Sequence, residues 1–273
     1  MVIVCAVYRL IISAHDSMRS VIFPRPDLRE GSIRALNRGG AALLEVLVPR
    51  PLALSEADGV LRSRVEIYAL MALTLFYAPR KDIVDYAACL ADGNVPRAEE
   101  DKLRAWMERD GGGDARTAVS YASCLLATLR RSPSPGLHEP IATLWAVLVL
   151  WTFNRLTVAA KSGNPAVAAE VEAGPTSRPA DPDRGQQFRE CARWSTVRLD
   201  MYWASREVKA WHAGKDMLRP HVKDIGNICL PTAGRRILDV GIALLSRMRA
   251  CTFSGDLTSW LQALGLRSEI FAV

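Results

Sequence analysis

Closely spaced cysteine pairs are missing from the sequence, although it contains six cysteines. They are Cys5, Cys89, Cys124, Cys191, Cys229 and Cys251. Structural zinc sites use cysteine or histidine ligands about two to five residues apart, so this spacing argues against a zinc finger in the sequence. Several of the cysteines lie in apolar stretches, such as Cys89 in YAACLA. We interpret them as small buried hydrophobic residues in a reducing compartment, and not as a disulfide framework.

The sequence also lacks the motifs of common active sites. No Gly-x-Ser-x-Gly elbow is present, which removes the main signal of a serine hydrolase. Gly111-Gly112-Gly113 is followed by Asp-Ala-Arg and not by the lysine and hydroxyl of a phosphate-binding loop, so it reads as a helix stop. His138-Glu139 lacks the second histidine of a zinc protease motif. No catalytic, cofactor-binding or metal-binding residue is assigned, and no cofactor is expected.

Long apolar runs are scarce as well. The longest, Ile141–Phe153, is shorter than the ~20 residues that a bilayer span requires, and Arg155 follows it. The apolar N-terminus has no basic leader region and is interrupted by Arg9, which argues against a signal peptide. We therefore expect a buried core helix and no membrane association.

Blocks of like charge are absent, although the chain is basic overall. It has 35 Lys and Arg against 29 Asp and Glu, a net charge of +6 and a pI of about 9.1. This surplus is compatible with nucleic-acid or acidic-protein partners, and a solvated surface explains it equally well. The richest stretch, Arg198 to Arg249, holds ten basic and five acidic residues. Hydrophobic residues make up 49% of the chain, which excludes a wholly disordered protein.

Sustained strand alternation is missing, whereas helical periodicity is frequent, so we predict an all-α fold. The predicted helices are Ala57–Ala78, Lys81–Ala91, one through Leu103 and Trp106, one capped by Asp114, Glu139–Ala160, Phe188–His212, one capped by Thr232 and one from Ser254. Ser132 to Gly136 is predicted as a turn, and Leu218 to Pro231 as irregular. The tryptophans are interpreted as core residues and not as a stacking platform.

The predicted organisation is a single multi-helix domain over residues 51–273, preceded by a lead-in over residues 1–50. A segment at about 161–187 contains four prolines and almost no large apolar residues. We interpret it as a flexible, disordered Pro-rich surface insertion and not as a linker between independent domains.

Two blocks of the sequence carry a resemblance to a known family. The first, Asp101–Phe153, contains Leu-Arg-Ala-Trp, Ala-Arg-Thr-Ala-Val, His-Glu-Pro and an apolar Leu-Trp helix in that order. The second, Leu218–Leu264, contains Arg-Pro-His, Ile-Gly-Asn and Gly-Arg-Arg-Ile-Leu. Together they resemble the regulatory (middle homology) region of fungal zinc-finger transcription factors. The resemblance covers about Glu66 to Leu264, apart from the Pro-rich insertion.

The sequence departs from that family where the family reads DNA. Family members carry two-cysteine, two-histidine fingers or a binuclear cysteine cluster before this region, and this sequence has neither. No zinc ligand or DNA contact is therefore transferred to any residue here. Residues 1–50 match poorly, which we interpret as a divergent lead-in or a wrongly started, truncated gene model.

The resemblance implies a non-enzymatic regulator of transcription by RNA polymerase II, located in the nucleus. Its partners would be the transcription machinery or a related transcription factor, and a homodimer is compatible with it. DNA would be reached only indirectly or through the missing zinc fingers, and dimerisation or effector sensing are further options.

Two alternatives stay open. One is a stand-alone interaction module that pairs with a full-length relative. The other is a helical enzyme similar to isoprenoid synthases, which hold magnesium-diphosphate on aspartate-rich helices. Asp82, Asp85 and Asp92 give a faint version of that pattern, but no adjacent acidic pair and no second metal motif accompanies them.

Overall fold

The fold is helical, as predicted. A computed structural model describes residues 35, 38–42, 44, 59–94, 97–131, 138–162, 195–201, 205–214, 218–248 and 253–270. Of these residues 79% are helical. The turn predicted at Ser132 to Gly136, and the insertion beyond residue 162, lie outside the described residues.

Eight α-helices have defined bounds within the described ranges. They are α1 Gly59–Tyr77, α2 Arg80–Ala91, α3 Arg97–Glu108, α4 Gly113–Arg131, α5 Glu139–Ser162, α6 Arg206–His212, α7 Ala233–Arg247 and α8 Ser254–Ile270. Most agree with the predicted helices to within two residues. Asp114 does not cap α4 as predicted: it lies inside the first turn and pairs with Arg38 over 3.4 Å. Thr232 occupies the N-cap position of α7, but its side chain makes no capping hydrogen bond.

A small sheet replaces part of what was predicted to be helical or irregular. Its strands are β1 Ser195–Arg198, β2 Leu218–Val222 and β3 Gly226–Asn227, in the order β1-β2-β3. β1 runs parallel to β2 with Ser195 opposite Leu218, and β2 runs antiparallel to β3. The helix predicted over Phe188–His212 is therefore wrong at 195–198, and the irregular segment predicted over 218–231 is wrong at β2 and β3. Strands of two to five residues are too short to show a period of two.

The core is centred on α4 and α5. α4 packs against α1 and α5, and α5 packs in turn against α7. Every residue of α4 from Ala118 to Leu129 is buried, as expected of a helix enclosed by other helices. Trp106, Trp151 and Trp211 are at most 5% exposed, which confirms the core interpretation for these three tryptophans.

The apolar helix α5 is largely enclosed by the rest of the fold. By length and composition alone, Glu139–Ala160 is the one helix of the described part that meets the criteria for a membrane span. However, 67% of its most apolar stretch is buried. The structure thus confirms a buried core helix.

Gly111 and Gly112 lie in the 3-10 turn Arg109–Gly112 between α3 and α4, and Gly113 begins α4. Gly111 and Gly112 have φ of +62° and +80°, and a Cβ on Gly112 would lie 2.9 Å from the Met107 carbonyl oxygen. The Arg116 guanidinium donates to the Gly111 carbonyl and, over 3.1 Å, to that of His212. The glycines therefore end one helix and make room for an arginine that ties α4 to α6, which confirms the helix-stop interpretation.

Residues before position 50 contribute to the same core. Ala41 and Leu44 are fully buried, and Arg38 pairs with Asp110 over 2.5 Å. These contacts join the described part of the lead-in to the turn between α3 and α4. The domain boundary at residue 50 stays a prediction.

One buried amide and one close helix contact fix α7 against α5. Asn154 donates to the carbonyls of Ile228 and Leu230 over 2.7 and 2.8 Å. Gly241 lies against Val147, where a Cβ would come within 2.5 Å of Cγ2. A neighbouring face of α7, with Val240, Ala243 and Arg247, lines a surface cleft.

Candidate functional site

An open cleft of about 550 Å³ lies between the C-terminal end of α4, the turn between β2 and β3, and the outer face of α7. Its lining residues are Ala127, Arg130, Arg131, Arg198, Asp200, Met201, Lys223, Asp224, Val240, Ala243, Leu244 and Arg247. We refer to this feature as the cationic cleft.

Helical spacing explains why two helices face the cationic cleft with the same mixture of side chains. On α7, Val240, Ala243 and Leu244 are followed by Arg247, at spacings of three and four residues. Residues so spaced share one helix face. Ala127 and Leu244 are buried and Val240 is half-buried, so the floor is apolar. Arg131 and Arg247 follow these apolar residues on the two helices, and both are exposed at the rim of the cleft.

The rim has a surplus of positive charge. Five lining residues are basic and two are acidic, an excess of three positive charges. Lys223 and Arg247 are exposed, and neither has an ion pair within the described ranges. Arg131 is partly neutralised by Glu66, 3.8 Å away, and also donates to Thr128.

Arg130 is the most deeply placed cation of the cleft. Its side chain is 17% exposed, and its Nη1 donates to the Lys223 carbonyl over 2.9 Å and lies 3.7 Å from Asp224. Its Nη2 is buried and has no hydrogen-bond partner among the described residues. Burial lowers the pKa of the guanidinium, while Asp224 and Asp200 oppose that shift. An arginine stays protonated nonetheless, so its positive charge contributes to the lining of the cleft although Nη2 itself is closed to solvent.

Asp200 lines the cleft and is held in place by hydrogen bonds. It is 4% exposed, and its two oxygens accept from Nε and Nη2 of Arg198 over 2.8 and 3.0 Å. It also accepts from the backbone amide of Lys223 over 3.0 Å. Burial would raise the pKa of this carboxyl, but the hydrogen bonds from Arg198 and Lys223 outweigh it and hold the pKa below its ordinary value. Asp200 is therefore an ionised structural anchor.

The aspartates of the enzyme alternative lie beside the buried face of α2 and not on it. Ile83, Tyr86, Ala87 and Leu90 occupy the buried face of α2, whereas Asp82 and Asp85 are half-buried and Asp92 is exposed. Asp85 pairs with Lys81 on the same helix. Within the described residues no group of three or more His, Cys, Asp or Glu side chains could hold a metal ion.

A serine–histidine contact between α4 and α6 was not predicted from the sequence. Nε2 of His212 lies 2.7 Å from Oγ of Ser120, which is fully buried. The two residues are 92 positions apart, so no local motif could indicate their contact. Because no substrate reaches a fully buried hydroxyl, we interpret the pair as a packing contact.

His212 makes the stability of the fold depend on pH. Burial, followed by the charges of Arg116 and Lys209, lowers its pKa from 6.5 to about 4. The folded state favours the neutral ring, so its contribution is complete above pH 6.5 and is lost as the pH falls toward 4. We expect this residue alone to remove about 3 kcal/mol of unfolding free energy between pH 7.5 and 4.

Urea unfolding of the wild type and of His212→Gln at these two pH values measures that contribution. The variant cannot be protonated, so its stability should fall less than that of the wild type by about 3 kcal/mol. Parallel pH profiles for the two proteins would show that His212 is not the titrating group.

Comparisons of the chain with family models, curated proteins and solved structures gave no match. The residues of the cleft and the resemblance in the sequence are therefore the basis of the function proposed below.

Proposed function

We propose that the chain is a non-enzymatic regulatory domain of the kind found in fungal zinc-finger transcription factors, acting in the nucleus through contacts with protein partners. The observation that carries this proposal is the position of the cationic cleft. It is formed where the two blocks that resemble the family meet. Arg130 and Arg131 come from the first block, and Lys223 and Arg247 come from the second.

The side chains of the cleft support binding more than catalysis. None of the described lining residues is a serine, cysteine, threonine or histidine, so the lining offers no nucleophile paired with a base. Asp200 is held by Arg198 and the Lys223 amide and is not available as a general base. Arginine and lysine are charged at neutral pH and recognise anionic groups. The homodimer and the pairing with a full-length relative stay predictions.

Tethering the chain to a heterologous DNA-binding domain in a fungal host tests the regulatory role. We expect the fusion to change transcription of a reporter severalfold, up or down, relative to the DNA-binding domain alone. A fluorescent fusion of the chain should accumulate in the nucleus.

Variants of the cleft make that experiment specific. Lys223→Glu/Arg247→Glu reverses two exposed rim charges and should return the reporter to its basal level. Lys102→Glu/Arg206→Glu makes the same charge change at exposed positions outside the cleft and should leave the effect intact. A reporter that responds to none of the fusions, although they are expressed, would contradict the proposed function.

A further inference from the structure

We propose that the cationic cleft binds a short acidic segment of a partner protein in which carboxylates alternate with large apolar side chains. This inference rests on the proposed function and names the chemistry of the partner.

The positive charges of the cationic cleft are complementary to an acidic partner. The excess of three positive charges is carried by groups that the fold leaves partly or wholly unpaired. Lys223 and Arg247 flank the opening from two different elements, the β2–β3 turn and α7. Two exposed cations that line one cleft are suited to the carboxylates of one acidic segment, and such complementarity selects for acidic partners.

Arg130 adds a partly buried positive charge to the lining of the cleft. Its Nη1 donates to the Lys223 carbonyl, while its Nη2 is closed to solvent and has no hydrogen-bond partner among the described residues. A carboxylate in the cleft therefore does not bond to Nη2 directly. It is attracted instead by the charge of the guanidinium, which strengthens the preference for an acidic partner.

The apolar floor of the cleft favours a peptide over other anions. Ala127, Val240 and Leu244 give free phosphate nothing to contact, and Met201, 68% exposed, extends the apolar surface at the rim. No described lining residue is aromatic, so the cleft offers no platform on which nucleic-acid bases stack. In a segment that alternates acidic and large apolar residues, the acidic side chains can pair with the basic rim and the apolar ones can pack on the floor.

Fluorescence anisotropy with synthetic peptides and the full chain tests this inference. The first probe is a labelled peptide of about 12 residues that alternates Asp or Glu with Leu or Phe. The second replaces every acid by its amide, and the third replaces every apolar residue by serine. We expect the first probe to bind at least about tenfold more tightly than either of the others, and its affinity to fall with added salt.

Charge variants locate the binding site. Lys223→Glu/Arg247→Glu should weaken binding of the first probe at least about tenfold, while the matched Lys102→Glu/Arg206→Glu protein should bind like the wild type. Arg130→Met removes the partly buried charge and should weaken binding, whereas Arg130→Lys keeps the charge and should bind like the wild type, and both should retain the wild-type circular dichroism. Equal binding by both double variants would overturn the assignment of the site.

Two further results would also overturn the inference. One is equal affinity for the acidic peptide and its serine-substituted form, which would show that the floor is not used. The other is displacement of the bound peptide by inorganic phosphate or single-stranded DNA at equal concentration. A reporter effect that depends on Lys223 and Arg247, without peptide binding, would refute the acidic partner and leave the proposed function standing. Peptide binding with a silent reporter would support the acidic partner and refute the proposed function.

Discussion

Asn154→Ala is expected to lower the free energy of unfolding by roughly 1–3 kcal/mol. The Asn154 amide nitrogen donates to the buried carbonyl of Ile228 and the half-buried carbonyl of Leu230, more than 70 positions away in the sequence. Alanine leaves the Ile228 carbonyl without a partner, which costs about 1–3 kcal/mol, whereas the Leu230 carbonyl keeps its hydrogen bond from the Ala233 amide over 3.0 Å. The loop between β3 and α7 also loses its only amide link to α5 among the described hydrogen bonds.

Chemical unfolding of the wild type and two comparison variants measures this effect. Asn154→Asp keeps the shape but places a carboxylate against two carbonyl oxygens, so it should be at least as destabilising at neutral pH. Asn227→Ala removes a single local bond, to the Cys229 amide in the same loop, and should cost about 1 kcal/mol. Equal stability of Asn154→Ala and Asn227→Ala would show that the Asn154 bonds are not central to the fold.

Gly241→Val should destabilise the fold by about 3 kcal/mol, because it forces α7 away from α5. A Cβ at this position would lie 2.5 Å from Cγ2 and 3.2 Å from Cγ1 of Val147. Val147 is fully buried and β-branched, so its side chain cannot rotate out of the way. Displacing α7 also moves the wall of the cationic cleft, and we expect peptide binding to weaken in parallel.

Two comparisons separate crowding from the loss of glycine itself. Gly255→Val places the same side chain in α8, where no heavy atom lies within 4 Å, and should change stability by less than about 1 kcal/mol. Val147→Ala removes the obstructing methyl groups, so the double variant should be more stable than the sum of the single changes predicts. Strict additivity in thermal and urea unfolding would contradict the close contact.

The helices were predictable because their periodicity is local. In α7 the spacing of Ile237, Gly241, Leu244 and Leu245 marks one buried face, and the structure buries all four. In α3 the spacing of Leu103 and Trp106 does the same. The sheet was not predictable, because β1 has only four residues and pairs with a strand about twenty positions later. Pro220 also argues against a strand, yet its carbonyl accepts from the Ile228 amide.

The cationic cleft could be only half anticipated. The basic surplus between Arg198 and Arg249 is visible in the sequence, but a solvated surface explains such a surplus equally well. Periodicity does not reveal that Arg198, Lys223 and Arg247 line the same cleft as Arg130, which is far from them in the sequence. It also does not reveal that Asp200 is held by two hydrogen-bonding groups while Nη2 of Arg130 has none. Those facts depend on tertiary contacts.

The walls of the cleft come from four stretches of chain, at 127–131, 198–201, 223–224 and 240–247, that meet only in the native state. An occupant therefore has no comparable site on the unfolded chain, and its binding is thermodynamically linked to folding. At about one hundred times its dissociation constant, such an occupant adds about 2.7 kcal/mol to the stability of the native state. That gain is similar in size to the loss expected for Asn154→Ala. A cell that supplies the partner in excess would then maintain a destabilised variant that unfolds when purified alone.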